Sequence, residues 1–408
     1  MRTSILKITA LSVIASSALM ASGYKIPETS TNSVALSGAN IAHVSSADAA
    51  YDNPANMIFM DDTNHIESDL MYIGTSATNF QGSYTSQGTT TSGHDISAKE
   101  QAFIIPSLHY VSPKLGPAGA RLGLSIIVPG GLTREWEDQP AKASAEKFSL
   151  AVIEINPTAA FSVTDNLSLA VGFRIIHSEG EVKSTSTISR DMIGDSVDFG
   201  YNFALAYKPT KNLDFGLTYR SRVNLSTEGN AKLYIGDSKV YDGGTSVTIP
   251  LPASMSIAAA YTFSTKTTIE AVYERTFWSA YSSIDFNYTS DISPILVPYF
   301  DDPVAKDWKD TNSYRLGLTQ ELDSVTLMAG LVFDETPTPE ATLGFESPGS
   351  DSLSLSCGGR YVLSDSLDMG LGILYSMKED RTVKNASIDG EFTNSNALLI
   401  SAGVGYKF

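Results

Sequence analysis

The sequence predicts an all-β protein: a 14-stranded antiparallel transmembrane β-barrel plugged by an N-terminal hatch. Three observations carry this reading. The chain opens with an export signal and has no later run of about eighteen apolar residues, so no helix is expected to cross a membrane. Apolar and polar residues alternate with period 2 through most of the chain after residue 62, up to a terminal phenylalanine. Tight turns also alternate with long connections, as in a barrel with short turns at one end and long loops at the other.

Taken in order, residues 1–22 read as a secretory signal. Arg2 and Lys7 supply the positive start, Ile8 to Leu19 the apolar stretch, and small residues come next. Ser16 and Ala18 satisfy the small-x-small cleavage rule, whereas Ala21-Ser22-Gly23 lies nearer the change of pattern and starts the mature chain at Gly23. Residues 23–62 have no sustained period-2 pattern and are rich in Ala, Ser and Asn. Wall side chains fill a barrel only up to about eight strands. A fourteen-stranded wall therefore needs a plug, and this segment is the available piece, with "YDNPANM" inside the lumen. In it, Asn53 and Pro54, followed by Ala55, suit a tight turn fixed by side-chain-to-backbone bonds.

Residues 63–408 read as the barrel. Strands are expected near 64–85, 100–112, 119–134, 145–163, 166–186, 195–208, 212–233, 244–263, 267–289, 310–321, 324–335, 351–363, 366–386 and 391–408. In "LSLAVGFRII", Leu167, Leu169, Val171, Phe173 and Ile175 share one face, with Ser168, Ala170, Gly172 and Arg174 opposite. "LDFGLTYRSRV", "LDMGLGILYSM" and the final "ALLISAGVGYKF" repeat the pattern. A face carrying Arg, Asp, Glu and Gly is not a dry core, because isolated buried charge is too costly. It lines a wet lumen or, in a secreted β-sandwich, faces solvent. By this parity Arg174, Arg220, Glu270, Glu274 and Arg360 point inward and are read mainly as ion pairs stabilising the barrel. Cys357 points outward as a small apolar residue, and being the single cysteine it forms no internal disulfide. Long loops are expected at about 86–100, 131–146, 186–197, 233–245, 289–310 and 336–350.

Bulk properties exclude several classes of function. Net charge is −17, falling to −19 when Arg2 and Lys7 leave, which argues against nucleic acid. A mean hydropathy of −0.04 is compatible with a membrane barrel, whose two faces cancel. His43, His65, His94, His109 and His177 show no ligand spacing, so neither metal nor other cofactor is expected. Two stretches stand out instead. In "ARLGLSIIVPGGLTREW", Pro129 cannot donate to a ladder and Gly130 and Gly131 loosen the backbone. Either the wall breaks there or a short strand ends. In "SDISPILVPYFDDPVAKDW", Ile295, Leu296, Val297, Tyr299 and Phe300 form an apolar run on a loop. Such a run marks a binding surface or packs among neighbouring loops.

The chain resembles the FadL/TodX family of outer-membrane transporters for hydrophobic compounds. The resemblance rests on Asn53-Pro54-Ala55 and its preceding small-residue run, then on six blocks in the same order: "IEINPTAAFSVTDNLSLAVGF", "LTYRSRV…EGNAKL", "LPASMSIAAAYTF", "ERTFWSAY", "WKDTNSYRLGL" and "AGLVFDETPTPEATLGFESPGSDSLSLSCGGRY". It implies a monomer in a Gram-negative outer membrane, assembled by the barrel machinery through the strand ending at Phe408. It also implies passive diffusion of long-chain fatty acids or aromatic hydrocarbons, which the lipopolysaccharide layer otherwise excludes. Substrate would be captured among the loops, released by a shift of the hatch, and leave sideways at the Pro129–Gly131 break. Lys309 stands where fatty-acid-binding relatives carry a pocket lysine. Their second basic residue is replaced here by Glu179, between Arg174 and Lys183, a departure that sets neutral aromatics or alkanes as the alternative to long-chain fatty acids, the first reading. Two further readings are a lipid or peptide hydrolase, for which His94 and His177 are the rim candidates, and a structural or adhesive barrel that would need neither hatch nor wall break.

Overall fold

A computed structural model describes residues 23–408, so the signal read in residues 1–22 lies outside the described residues. Seventeen strand segments form one closed antiparallel sheet. Three wall strands are interrupted, at Leu213–Arg220 with Val223–Ile235, Ser238–Leu251 with Ser254–Thr262, and Thr267–Thr276 with Phe286–Tyr288. The wall is therefore a closed 14-stranded barrel. The first strand (His65–Thr75) pairs with the last (Ala397–Lys407) from His65 opposite Lys407 to Thr75 opposite Ala397.

Period-2 alternation sorts the wall as the physics of a lipid-facing sheet requires. Leu169, Val171, Phe173, Phe199, Tyr201 and Phe203 are exposed on the outer face, and Cys357 is exposed with them. The inner face carries charge and glycine, and the hatch gives both a purpose. Residues 23–62 fold as two short helices (Thr31–Ala35 and Ala49–Asp52) and a 3-10 turn (Pro54–Phe59), enclosed by the wall. At Gly330 an added Cβ would lie 2.3 Å from the Leu36 carbonyl carbon, and at Gly372 2.7 Å from the Thr31 oxygen. Only glycine lets the hatch backbone approach the wall so closely.

Above the membrane the strands run further than the sequence pattern suggests. Residues 79–86, 89–97, 381–384 and 388–393 form a separate four-stranded sheet over the long-loop end, built around Phe80, Phe345, Phe392 and Trp136. The stretch expected as a loop near 86–100 is thus largely strand. Those near 186–197 and 233–245 are hairpin extensions of Ile188–Thr210 and of Val223–Ile235 with Ser238–Leu251. Beyond the bilayer the outer face meets water instead of lipid, so it no longer has to be apolar and the alternation weakens.

Candidate functional site

The hatch is held by buried acids. Glu270 accepts the backbone N–H groups of Ile41, Ala42 and His43 at 2.7, 2.7 and 3.1 Å. Asp69 accepts from Thr31 Oγ1 (2.6 Å) and the Thr31 N–H (3.1 Å). Asn53 caps the 3-10 turn: its Oδ1 accepts the Ala55 N–H (3.1 Å) and its Nδ2 donates to the carbonyls of Ile41 (2.8 Å) and Leu205 (3.1 Å). Pro54 occupies the first turn, where no N–H is needed, and Ser168 ties the Ala55 carbonyl to the wall (2.7 Å). Of the inward charges, Arg174 forms a wall pair with Glu154 (2.8 Å) and Arg360 one with Glu67 (2.7 Å). Arg220 and Glu274 instead grip the hatch, through the Tyr51 carbonyl and Lys25 (2.7 Å).

The third wall strand (Arg121–Glu135) bends where Pro129, Gly130 and Gly131 lie. Its register with the fourth strand (Lys147–Thr164) shifts between Ile127 and Gly130, leaving Val128 and Pro129 unmatched. Its ladder with the second strand (Gln101–Val111) covers only Leu108–Val111. Gln101–Ser107 therefore pair with the first strand alone. The two strands meet again above, where the Lys99 N–H donates to the Glu135 carbonyl (2.9 Å). Between these points the wall has a gap flanked by Ile105 and Val128. The start of the hatch lies along it: Ile26 donates to the Pro129 carbonyl (2.9 Å) and Gly131 to the Tyr24 carbonyl (2.8 Å), with Lys25 bridged to Gly130. The Tyr24 ring packs edge-on to Trp278 (4.7 Å between centroids) and near Trp308 (5.7 Å), and its hydroxyl donates to Pro250.

Three of the cavities in the molecule bear on a route for substrate, and a fourth, smaller one lies between Glu28, Ile105 and Val128. A vestibule of about 2480 Å³ at the long-loop end is lined by Arg190, Tyr299, Phe300, Lys306 and Glu346, among others. It shares Phe148 and Phe286 with an apolar chamber of about 450 Å³ bounded by Leu150, Val182, Met192, Val247 and Ile249. A third space of about 670 Å³ lies beside the hatch, lined by Lys25, Ile26, Pro129, Leu251 and Arg315. Arg190 sits at the neck between the first two, its guanidinium 5.1 Å from the Phe286 ring centre and 5.4 Å from that of Phe300. Its Nε is buried and unpaired, and no acid lies within ion-pair distance among the described residues. Lys306, by contrast, is spent on Glu346. Burial alone would raise that carboxyl, but Lys306 holds it below the usual range.

The apolar loop run divides. Leu296 and Phe300 are buried in the cluster around Trp278 and Trp308, Val297 is half-buried, and Ile295 (58% exposed) and Tyr299 face outward. Lys309 is exposed and lines none of the three cavities, its N–H donating to the Pro337 carbonyl (2.9 Å). Arg190 was hidden from sequence reasoning because it falls in a stretch read as a loop. His94 bonds Thr91 (2.7 Å), and His177 lies between the Ser196 carbonyl (3.0 Å) and Glu179 (3.3 Å). Neither histidine engages both an acid and a nucleophilic hydroxyl, as a hydrolase requires.

Residues 11–408 match the family described as outer membrane protein transport protein (OMPP1/FadL/TodX). A long-chain fatty acid transport protein of Escherichia coli O6:H1 is 23% identical, aligned over 74% of this chain and 77% of its own. Outer membrane protein P1 of Haemophilus influenzae is 21% identical over 89% of each. Among solved structures, a Pseudomonas aeruginosa FadL homologue superposes with a TM-score of 0.83 at 19% identity, covering 95% of this chain and all of its own. The Pseudomonas putida toluene transporter TodX gives 0.70 at 17%, covering 94% and 98%.

Proposed function

The chain belongs to the OMPP1/FadL/TodX family of outer-membrane transport proteins, which carry hydrophobic compounds and are not enzymes, and from that premise we propose that this member admits long-chain fatty acids. Arg190 carries the reading. A half-buried guanidinium with an unbonded Nε and no acid within ion-pair distance, flanked by two aromatic rings at the mouth of an apolar chamber, suits a carboxylate whose tail continues inward. Capture would begin on the exposed Tyr299 of the vestibule. The apolar chamber would then take the chain. The outward route would open when Tyr24–Ile26 leave the bend at Pro129–Gly131, letting the molecule pass through the gap between the second and third strands into the membrane. Diffusion down a gradient needs no cofactor, and a hatch held by many short bonds keeps the pore closed to water at rest.

A second reading, uptake of neutral aromatics, draws on the exposed position of Lys309 and on the acidic Asp301 and Asp302 beside the vestibule. One experiment separates the two: uptake of labelled oleate and of labelled toluene by cells carrying wild type or Arg190→Met. A charge-assisted contact contributes about 1.5–3 kcal/mol. The substitution is therefore expected to lower oleate uptake by about tenfold or more and leave toluene uptake in place. Toluene uptake by wild type with no oleate uptake would establish the neutral reading instead.

A further inference from the structure

Lys378 ends the thirteenth wall strand (Leu367–Lys378) with its side chain in the lumen, 9% exposed. Its Nζ has no hydrogen-bond partner among the described residues, and none of their ion pairs includes it. Directly across the sheet stands Ser352, and across from Ser352 stands Asp334. Asp334 faces Arg315 at 3.7 Å. The Ser352 hydroxyl is buried and unpaired like the ammonium, and so is that of Thr336. Lys378 lies in the field of Asp334 and, more strongly, of a second cation, Arg134 of the third strand, which donates to Thr78 Oγ1 (2.8 Å). Thr78 in turn bonds Ser395 (2.9 Å), and the Lys378 N–H donates to the side chain of the adjacent Asn396 (3.1 Å).

Burying an ammonium without an acceptor is unfavourable, because its lost hydration is not replaced. Two cations brought together from strands three and thirteen add repulsion to that cost. What surrounds them points to an occupant. Four residues below Lys378 on the same face, Leu374 packs with Met71, Ile73, Ile105 and Val128, the apolar cluster beside the gap in the wall. The arrangement is amphiphilic: positive above, apolar below, adjoining the break.

We propose that Lys378 and Arg134 form a second anion site, on the exit side of the lumen, that takes the carboxylate of an amphiphile whose tail lies along this cluster. It rests on the fatty-acid reading above and adds a station that the Arg190 neck does not provide. A molecule leaving that neck would pass its headgroup to Lys378 while its tail enters the gap, so that the charge is never left alone in the lumen.

The test uses oleate as the probe, with purified full-length wild type, Arg190→Met, Lys378→Met, Lys378→Arg and the double methionine variant. Arg190→Met and Lys378→Met are each expected to lose one of two bound oleates, and the double variant both. In cells, Lys378→Met should lower the ratio of oleate to toluene uptake by about tenfold, and Lys378→Arg should restore it. Wild type with oleate already bound is also treated with a carbodiimide, which converts the bound carboxylate to an O-acylisourea; the Lys378 amine then displaces the urea and loses a proton to give an amide, read by peptide mass spectrometry without dependence on a variant folding. An unchanged uptake ratio and stoichiometry in Lys378→Met, or no acyl adduct in wild type, would overturn the proposal and leave lumen water as the partner of Lys378. Should Arg190→Met alone remove oleate binding, the fatty-acid reading stands and the second site falls. Should wild type bind no oleate at all, both fall together.

Discussion

Single residues on the inner wall divide into those that hold the wall and those that hold the hatch. Arg174 and Glu154 form a buried, doubly bonded pair within the wall, at 2.9 and 2.8 Å. Glu270 looks like the same kind of residue in sequence, yet it neutralises three hatch N–H groups that would otherwise be buried without acceptors. Glu28 adds a response to pH. Burial raises its carboxyl from 4.5 to about 7, with Arg315 opposing that rise. A raised acid stabilises the docked hatch fully below its open-chain value, and that contribution is lost as pH rises through about 7. Hatch release, followed through the fluorescence of Trp278 and Trp308 around Tyr24, should therefore become easier above neutrality. Glu28→Gln should flatten that dependence; a midpoint near pH 7 that survives the substitution would assign it to another group.

Among the elements, the third strand is the informative one. Val128 and Pro129 stand opposite the single Ile153, one extra residue relative to the fourth strand. Removing Pro129 alone restores one-to-one pairing across the bulge, each later residue keeping its partner on the fourth strand. The shortened strand is expected to run straight, meet the second strand along its length and close the gap. Cells carrying this deletion should insert a barrel with normal heat-modifiable migration and lose most oleate uptake. Full uptake through a straightened strand would place the exit elsewhere. The bend itself was legible beforehand, since proline followed by two glycines inside an alternating run is a local signal. That Tyr24–Ile26 would pair with it was not, because the partners are about a hundred residues apart and share no pattern. The four-stranded outer sheet was illegible for another reason: its short strands carry only one or two buried apolar residues each, among them Phe80, Ile96, Val383, Ile388 and Phe392, too few to show a period.

At the scale of the whole molecule, the solvent is reversed. The outer face is apolar and the interior holds acids, arginines and lysines, because lipid lies outside and a bonded plug inside. Cys357 reports on this directly, being exposed on the outer wall between Leu355 and Gly359. In intact outer membranes it should resist a charged maleimide and react with a lipid-soluble one, and in detergent-free unfolded protein both should react. Labelling by the charged reagent in the membrane would contradict the outward assignment. Asn53 shows the same inversion from within. Its three bonds tie the hatch turn to itself and to the Leu205 carbonyl of the wall, which serves transport only by keeping the plug seated.

Much of this protein is dictated by its order of residues alone. Period-2 alternation fixes which side chains meet lipid, since successive residues in a strand must point to opposite faces. Loop asymmetry and the aromatic last strand come from the need to close a sheet in a bilayer, and the unpatterned 23–62 from the need to fill it. Charge at the functional site was decided by the tertiary structure. Lys309, favoured by position in the chain, faces solvent, while half-buried Arg190 and buried Lys378 each keep an unbonded nitrogen and no acid within ion-pair distance among the described residues. Alternation states that a residue points into the lumen; it does not state what stands opposite. In a barrel that depends on strand register, stagger and the path of the hatch, all set by contacts between residues far apart in sequence.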